Sequence, residues 1–106
     1  MSETVKRILA ELKARLSDLY GNRLRGVYLF GSYARNEADG ESDLDILVVL
    51  DRVDSYAREI SETNEVTSEI SLKYGITLSR VFASESQWRD DSTLFFVNVR
   101  EEAIPA

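Results

Sequence analysis

The sequence of 106 residues contains no cysteine and no histidine. Their absence excludes disulfides, thiolate catalysis, the usual zinc ligands and imidazole acid-base chemistry. Any metal site must therefore be built from carboxylates, which suit hard cations such as Mg²⁺ or Mn²⁺. No stretch approaches the ~20 apolar residues of a membrane span, and the polar N-terminus has no signal-peptide core. We expect a cytoplasmic protein that does not engage a membrane.

Positive charge is also scarce, with 13 Lys and Arg against 19 Asp and Glu and a net charge of −6. Nucleic-acid binders usually carry a basic patch, and the few basic residues here are mixed with acidic ones. We therefore expect no direct binding of polynucleotide. The length suits a single core, and no linker, repeat or low-complexity tract divides the chain, so residues 1–106 are predicted to form one domain.

Two acidic residues, Asp43 and Asp45, stand at the start of an apolar run that extends to residue 50. Alternate residues of a strand share one face, so the two carboxylates would point the same way, with Cα atoms about 6.5 to 7 Å apart. Such a pair can hold a divalent cation together with phosphate oxygens and water. An isolated Asp-x-Asp is more often a solvated turn. Buried carboxylates are costly unless they are paired or bind a metal, however, so a position beside a core strand favours a metal site.

A Gly31-Ser32 pair ends the preceding apolar run, residues 27–30, which is typical of a buried strand. Gly31 has no Cβ, so the backbone can approach a ligand closely there. Ser32 offers a hydroxyl and is predicted to N-cap the short turn of residues 33–36, whose free amides favour an anion. An isolated Gly-Ser is usually a loop. Its place between two apolar runs, with the acidic pair after it, predicts a phosphate-binding turn beside a metal site.

These residues match a known family in both type and spacing. Gly-Ser-Tyr-Ala-Arg at residues 31–35, the ten residues 33–42 and Asp-Leu-Asp at residues 43–45 resemble the signature of the minimal nucleotidyltransferases of the DNA polymerase β superfamily. The resemblance centres on residues 27–50, and the chain length and order of elements agree with a complete minimal domain. Asn36 stands where the family often has glycine, a mild departure because asparagine tolerates left-handed backbone.

The resemblance implies a role for each matching residue. Gly31 and Ser32 would bind the β- and γ-phosphates of a nucleoside triphosphate such as ATP, and Arg35 would lie near the phosphates or brace the loop. Asp43 and Asp45 would be the catalytic residues, because they would ligate the Mg²⁺, or Mn²⁺ in its place, that activates the nucleotide.

One part of the family pattern is missing. The family places a third carboxylate, the base for the attacking hydroxyl, on a neighbouring strand. The matching strand here, residues 76–82, has no acidic residue, and Thr77 or Ser79 stands at the expected place. Glu69 and Glu85 flank the strand, but their spacing assigns neither to the site. A positioned base contributes about 10² to 10⁴ in rate, so the sequence allows either a weak transferase or a nucleotide-binding relic.

The pattern of apolar residues and helix signals predicts the order α-β-β-α-β-α. The predicted elements are a first helix that starts at Ser2 or Thr4 and stops at Gly21, strands over residues 26–30 and 43–50, a helix over 55–74, a strand over 76–83, a capping box and helical turn at 84–87, and a last helix over 93–102. Pro105 is predicted to end all regular structure. This order suggests an α/β (α+β) domain with a mixed sheet of three to four strands backed by helices, which is also the polymerase β-like fold that the resemblance implies.

The resemblance also suggests a function. Similar proteins commonly act as antitoxins that transfer AMP from ATP to a tyrosine of a HEPN-domain ribonuclease toxin, and a small domain fits a protein acceptor. A second hypothesis is a catalytically degenerate domain that neutralises the toxin by stoichiometric binding. A third is a small-molecule nucleotidyltransferase of the aminoglycoside-modifying type, for which the short chain provides little room to bind the substrate.

Overall fold

A computed structural model describes residues 1–106. The helices are α1 (Glu3–Tyr20), α2 (Gly31–Ala34), α3 (Tyr56–Tyr74), α4 (Glu85–Asp90) and α5 (Leu94–Glu102), and the strands are β1 (Leu24–Phe30), β2 (Leu44–Leu50), β3 (Leu78–Ser84) and β4 (Ile104–Pro105). A short 3₁₀ turn, Gly21–Arg23, joins α1 to β1. None of the helices is long and apolar enough to cross a membrane.

The four strands form one mixed sheet in the order β3-β2-β1-β4. β1 runs antiparallel to both β2 and β4, whereas β2 and β3 are parallel. A parallel pair needs a long crossover connection, which α3 supplies. The sheet confirms the predicted fold class, a mixed sheet of three to four strands backed by helices.

Helices cover both faces of the sheet, and the central strand β2 divides its side chains between them. On one face Ile46, Val48 and Leu50 join a core cluster with residues of α1 and α3. On the other face Leu47 and Val49 pack with residues of α5. All five side chains are almost wholly buried, and such burial stabilises a fold by roughly 1.5 to 3 kcal/mol for each residue. The acidic pair thus stands at the start of the best-packed strand.

The ends of the longer helices follow the signals read from the sequence. Ser2 caps α1 and Ser55 caps α3, each by accepting a hydrogen bond from a backbone N–H of the first turn. Gly75 ends α3 in the left-handed conformation, with φ of 64°. Ser84 and Gln87 form the predicted capping box at the start of α4. These caps satisfy backbone groups that have no partner within the helix.

The prediction that regular structure ends at Pro105 was wrong. Ile104 and Pro105 form β4, which pairs with Leu29 and Tyr28 of β1. Proline can stand in an edge strand because its missing N–H can face away from the sheet. A pairing of only two residues has no periodicity in the sequence, so nothing local could have revealed it.

The strand boundaries also differ by one or two residues from those predicted: β1 begins at Leu24, β2 begins at Leu44, and β3 spans Leu78–Ser84. Asp43 therefore lies immediately before β2 rather than within it.

Candidate functional site

The turn between β1 and β2 brings a glycine against an acidic side chain. α2 begins at Gly31 directly after β1, and Gly31 has φ of 75°, which favours glycine. A Cβ at residue 31 would lie 2.1 Å from Oδ2 of Asp45, so any residue other than glycine would force the side chain of Asp45 to shift. These two residues are fourteen positions apart in the sequence, and the antiparallel pairing of Phe30 with Asp45 brings them together in space.

The predicted capping role of Ser32 was wrong. α2 begins two residues earlier than expected, so Phe30 is its N-cap and no side chain caps it. Ser32 instead lies in the first turn and lines the cavity described below. Asn36 has φ of 60°, which agrees with the expectation that an asparagine there tolerates left-handed backbone.

Asp43 and Asp45 lie together at the start of β2. Asp45 is partly buried in the strand and Asp43 is exposed just before it. Burial raises the pKa of the Asp45 carboxyl, and the charge of Asp43 raises it further, while Ser79 and Arg35 lower it. Two like charges held in this way are suited to a hard cation, since Mg²⁺ favours one or two carboxylates plus phosphate oxygens and water. The donor set therefore fits the ion that the resemblance implies.

No third carboxylate joins this pair from β3. Ser79 is the β3 residue in register with Asp45, and Thr77 precedes the strand. Glu69 pairs with Arg15 at 2.8 Å and Glu85 with Arg25 at 3.4 Å. No group of three or more acidic residues comes together in a way that could hold a metal ion. Ser79 thus stands where the family pattern would put the base.

Sequence reasoning missed one acidic residue at the site, Glu102 at the end of α5. Its Oε2 accepts a hydrogen bond from the backbone N–H of Gly31 at 2.7 Å and another from Nη1 of Arg35 at 3.0 Å. Arg35 also donates from Nε to Glu37 at 3.2 Å. Glu102 is 71 residues from Gly31 in the chain, and no motif spacing signals such a contact.

An open cavity of about 380 Å³ lies over the turn. Its lining residues come from the β1–α2 turn, the start of β2 and one face of α5: Phe30, Gly31, Ser32, Arg35, Asp45, Phe95, Asn98, Val99 and Glu102. The four residues from α5 recur at spacings of three, one and three, which places them on one helical face.

The aromatic residues of α5 divide between two environments. Phe96 is buried in the core, whereas Phe95 is 42% exposed and lines the cavity. Phe95 meets Phe30 edge to face, with ring centroids 5.8 Å apart. The cavity therefore combines an apolar wall, an amide at Asn98, and the polar groups of the turn.

Comparison with known proteins gives a family match over most of the chain. A family model described as a nucleotidyltransferase domain matches residues 9–91. A Methanocaldococcus jannaschii protein named as a candidate protein adenylyltransferase is 32% identical over 98 residues, which make up 92% of this chain and 92% of that protein. The protein adenylyltransferase MntA of Thermococcus cleftensis is 33% identical over 76 residues, covering 72% of this chain and 75% of that protein.

Solved structures resemble the fold as well. A candidate minimal nucleotidyltransferase superposes with a TM-score of 0.63 at 26% identity and covers 100% of this chain and 97% of its own. The crystal structure of a toxin-antitoxin with AMP-PNP superposes with a TM-score of 0.59 at 24% identity, covering 89% of this chain and 68% of that one. At that identity the second match speaks for the fold alone.

Proposed function

We propose that this chain, which belongs to the nucleotidyltransferase domain family, transfers AMP from ATP to a tyrosine hydroxyl of a HEPN-domain toxin and so acts as its antitoxin. The observation that carries the proposal is the contact of Gly31 with Asp45, because it brings a turn whose backbone N–H already binds a carboxylate oxygen against the acidic pair. A triphosphate needs both partners, donors for its outer oxygens and a cation over its inner ones.

Each residue of the site has a task in this reaction. The N–H of Gly31, the hydroxyl of Ser32 and the guanidinium of Arg35 bind the β- and γ-phosphates, which become the pyrophosphate leaving group. Asp43 and Asp45 would hold Mg²⁺, which would polarise the α-phosphate and neutralise the charge of the leaving group. The tyrosine oxygen then attacks the α-phosphorus, the bond to the β-phosphate oxygen breaks, and the phenolic proton passes to solvent.

The absence of a carboxylate at Ser79 is less damaging for a tyrosine acceptor than for a sugar. A phenol has a reference pKa of about 10, so it loses its proton far more easily than a sugar hydroxyl does. A general base usually adds about 10² to 10⁴ in rate, which leaves room for slow turnover without one. The reaction would be slow but would not require a further residue.

The proposed partner is a protein rather than a polynucleotide. The net charge of −6 disfavours a nucleic acid as acceptor. The relative named MntA is a protein adenylyltransferase, which supports both a protein acceptor and an adenine nucleotide. A HEPN-domain toxin is the partner that the resemblance to minimal nucleotidyltransferases implies.

Ser79 favours one alternative, a domain that neutralises its toxin by binding alone. Without a carboxylate at this position the site could bind nucleotide and transfer nothing. The two functions differ in the mass of the partner after incubation, because only the transferase adds AMP to it.

The experiment is intact-mass spectrometry of the HEPN-domain protein after incubation with this chain, ATP and Mg²⁺. The proposal expects the partner to gain one or more AMP units and expects no gain with the Asp43→Asn, Asp45→Asn double variant. A partner in which phenylalanine replaces the acceptor tyrosine should also gain nothing. Unmodified partner in a tight complex with the active chain would instead support the stoichiometric inhibitor.

A further inference from the structure

The carboxylate of Glu102 occupies the two donors that the proposed function assigns to the triphosphate. Its Oε2 lies 2.7 Å from the backbone nitrogen of Gly31 and 3.0 Å from Nη1 of Arg35. An anionic oxygen held by a backbone N–H and a guanidinium has the same kind of partners as a phosphate oxygen. A backbone N–H has one proton to donate, so a phosphate oxygen cannot take this hydrogen bond while Glu102 keeps it.

We propose that Glu102 is a built-in competitor for the triphosphate, which must displace this carboxylate before the outer phosphates can reach Gly31 and Arg35. The inference deepens the proposed function and depends on it. A competing anion inside the site lowers the apparent affinity for nucleotide, because only those molecules in which the anion has left the site can bind the outer phosphates. Glu102 therefore sets the nucleotide concentration at which the site fills.

The displacement needs a side-chain rotation and no movement of α5. The helix is fixed at this end, because Ala103 closes its last turn with a hydrogen bond to Val99 at 2.8 Å and β4 then pairs with β1. The side chain of Glu102 is 21% exposed and borders the open cavity, so water can receive the carboxylate once it turns away. The rigid backbone thus fixes the position of Glu102, and rotation of its side chain releases the carboxylate.

A different role for Glu102, as the missing third metal ligand, predicts the opposite behaviour. Its interacting oxygen is bound by two donors, and Glu102 forms no three-carboxylate group with Asp43 and Asp45. If Glu102 is a competitor, removal of its charge should strengthen the binding of nucleotide to the protein. If Glu102 is a metal ligand, its loss should weaken that binding. The sign of one change in affinity separates the two roles.

The test is calorimetry of nucleotide binding to the Glu102→Gln variant. Glutamine keeps the size of the side chain and removes the charge that competes with phosphate. Glu101→Gln is the matched control, because Glu101 is the neighbouring residue, is exposed, and makes none of the side-chain hydrogen bonds or ion pairs of the structure. The probes are ATP, AMP and inorganic triphosphate, each with Mg²⁺.

We expect ATP and inorganic triphosphate to bind Glu102→Gln about tenfold more tightly than the original protein, which corresponds to about 1.4 kcal/mol. AMP, which has no outer phosphates, should change by less than about twofold, and Glu101→Gln should change nothing by more than that. Glu102→Ala should give the same pattern, which guards against a special effect of the glutamine amide.

Three outcomes would overturn the inference. Weaker ATP binding by Glu102→Gln would make Glu102 a ligand of the metal or nucleotide. Unchanged ATP binding that still requires Asp43 and Asp45 would leave the proposed function intact and make the Glu102 contacts purely structural. Absence of ATP and triphosphate binding by both the original protein and the variants would remove the nucleotide site itself, and with it both proposals.

Discussion

Gly31 and Asp45 are in such close contact that a single added carbon at residue 31 would meet the carboxylate at 2.1 Å. The contact fixes the distance between the phosphate-binding turn and the acidic pair. Glycine is favoured at residue 31 for two reasons, the φ of 75° and the lack of space for a Cβ.

Gly31→Ala should therefore lower both stability and nucleotide binding. Gly75→Ala is a matched control, because Gly75 also has a positive φ, of 64°, but nothing lies within 4 Å of its added Cβ. Left-handed backbone costs a non-glycine residue roughly 1 to 2 kcal/mol, which both variants incur. Gly31→Ala should lose about 1 to 3 kcal/mol more, the usual cost of forcing an extra carbon into a packed site. If urea unfolding showed equal losses of stability for the two variants, the side chain of Asp45 would be able to move away from the added carbon without cost.

Asp45→Asn should raise the melting temperature while it abolishes Mg²⁺-dependent ATP binding. Burial and Asp43 raise the pKa of this carboxyl, so the folded protein holds the proton more tightly than the unfolded chain does. Stability therefore falls as the pH rises from the ordinary aspartate pKa through the raised one, and the neutral asparagine avoids this loss. The stability that Asp45→Asn gains over the original protein should be largest at a pH above the raised pKa and should disappear at a pH below the ordinary aspartate pKa.

Melting curves from acid to neutral pH measure this gain, and Asp43→Asn provides the control. Asp43 is exposed, so its replacement should lower metal-dependent binding with a smaller change in melting temperature. A lower melting temperature for Asp45→Asn at neutral pH would mean that the carboxylate stabilises the fold rather than straining it.

Ser79→Asp should raise the rate of AMP transfer, by up to about 10² to 10⁴ if the new carboxylate acts as a general base. Ser79 is in register with Asp45, whereas Thr77 lies outside β3, so Thr77→Asp is the matched control and should give no gain. Glu69→Gln and Glu85→Gln should leave the rate unchanged, since both residues pair with arginines elsewhere. Loss of transfer in either glutamine variant would contradict the geometry of the site.

Tyr20→Phe should destabilise the protein by about 1 to 3 kcal/mol in urea unfolding. Glu59 is only 2% exposed, and its carboxylate depends on Tyr20 and Arg23, each with a hydrogen bond of 3.0 Å. The variant leaves one buried oxygen without its donor. Tyr74→Phe removes a hydrogen bond to Glu11 near the surface, where water can replace it, and should cost clearly less. If the two variants lost equal free energy of unfolding, the hydrogen bond to buried Glu59 would stabilise the fold no more than the one near the surface.

Local patterns in the sequence were sufficient for the main strands, the long helices and their caps. The acidic pair and the Gly31 turn could also be assigned to one site from sequence, because the family signature contains both and strands were predicted directly before the turn and at the acidic pair. Glu102 and β4 could not, since both depend on how the last helix folds back on β1. The N-cap assignment of Ser32 failed for a local reason, since glycine at residue 31 could itself begin the helix.

The direct test of AMP transfer is to follow radioactive phosphorus from ATP into the HEPN-domain partner. Label at the α-phosphorus should enter the partner in the presence of Mg²⁺, and label at the γ-phosphorus should not. The Asp43→Asn, Asp45→Asn double variant should transfer neither. Transfer of the γ-label, or no transfer of the α-label while the two proteins form a stable complex, would contradict the proposed AMP transfer.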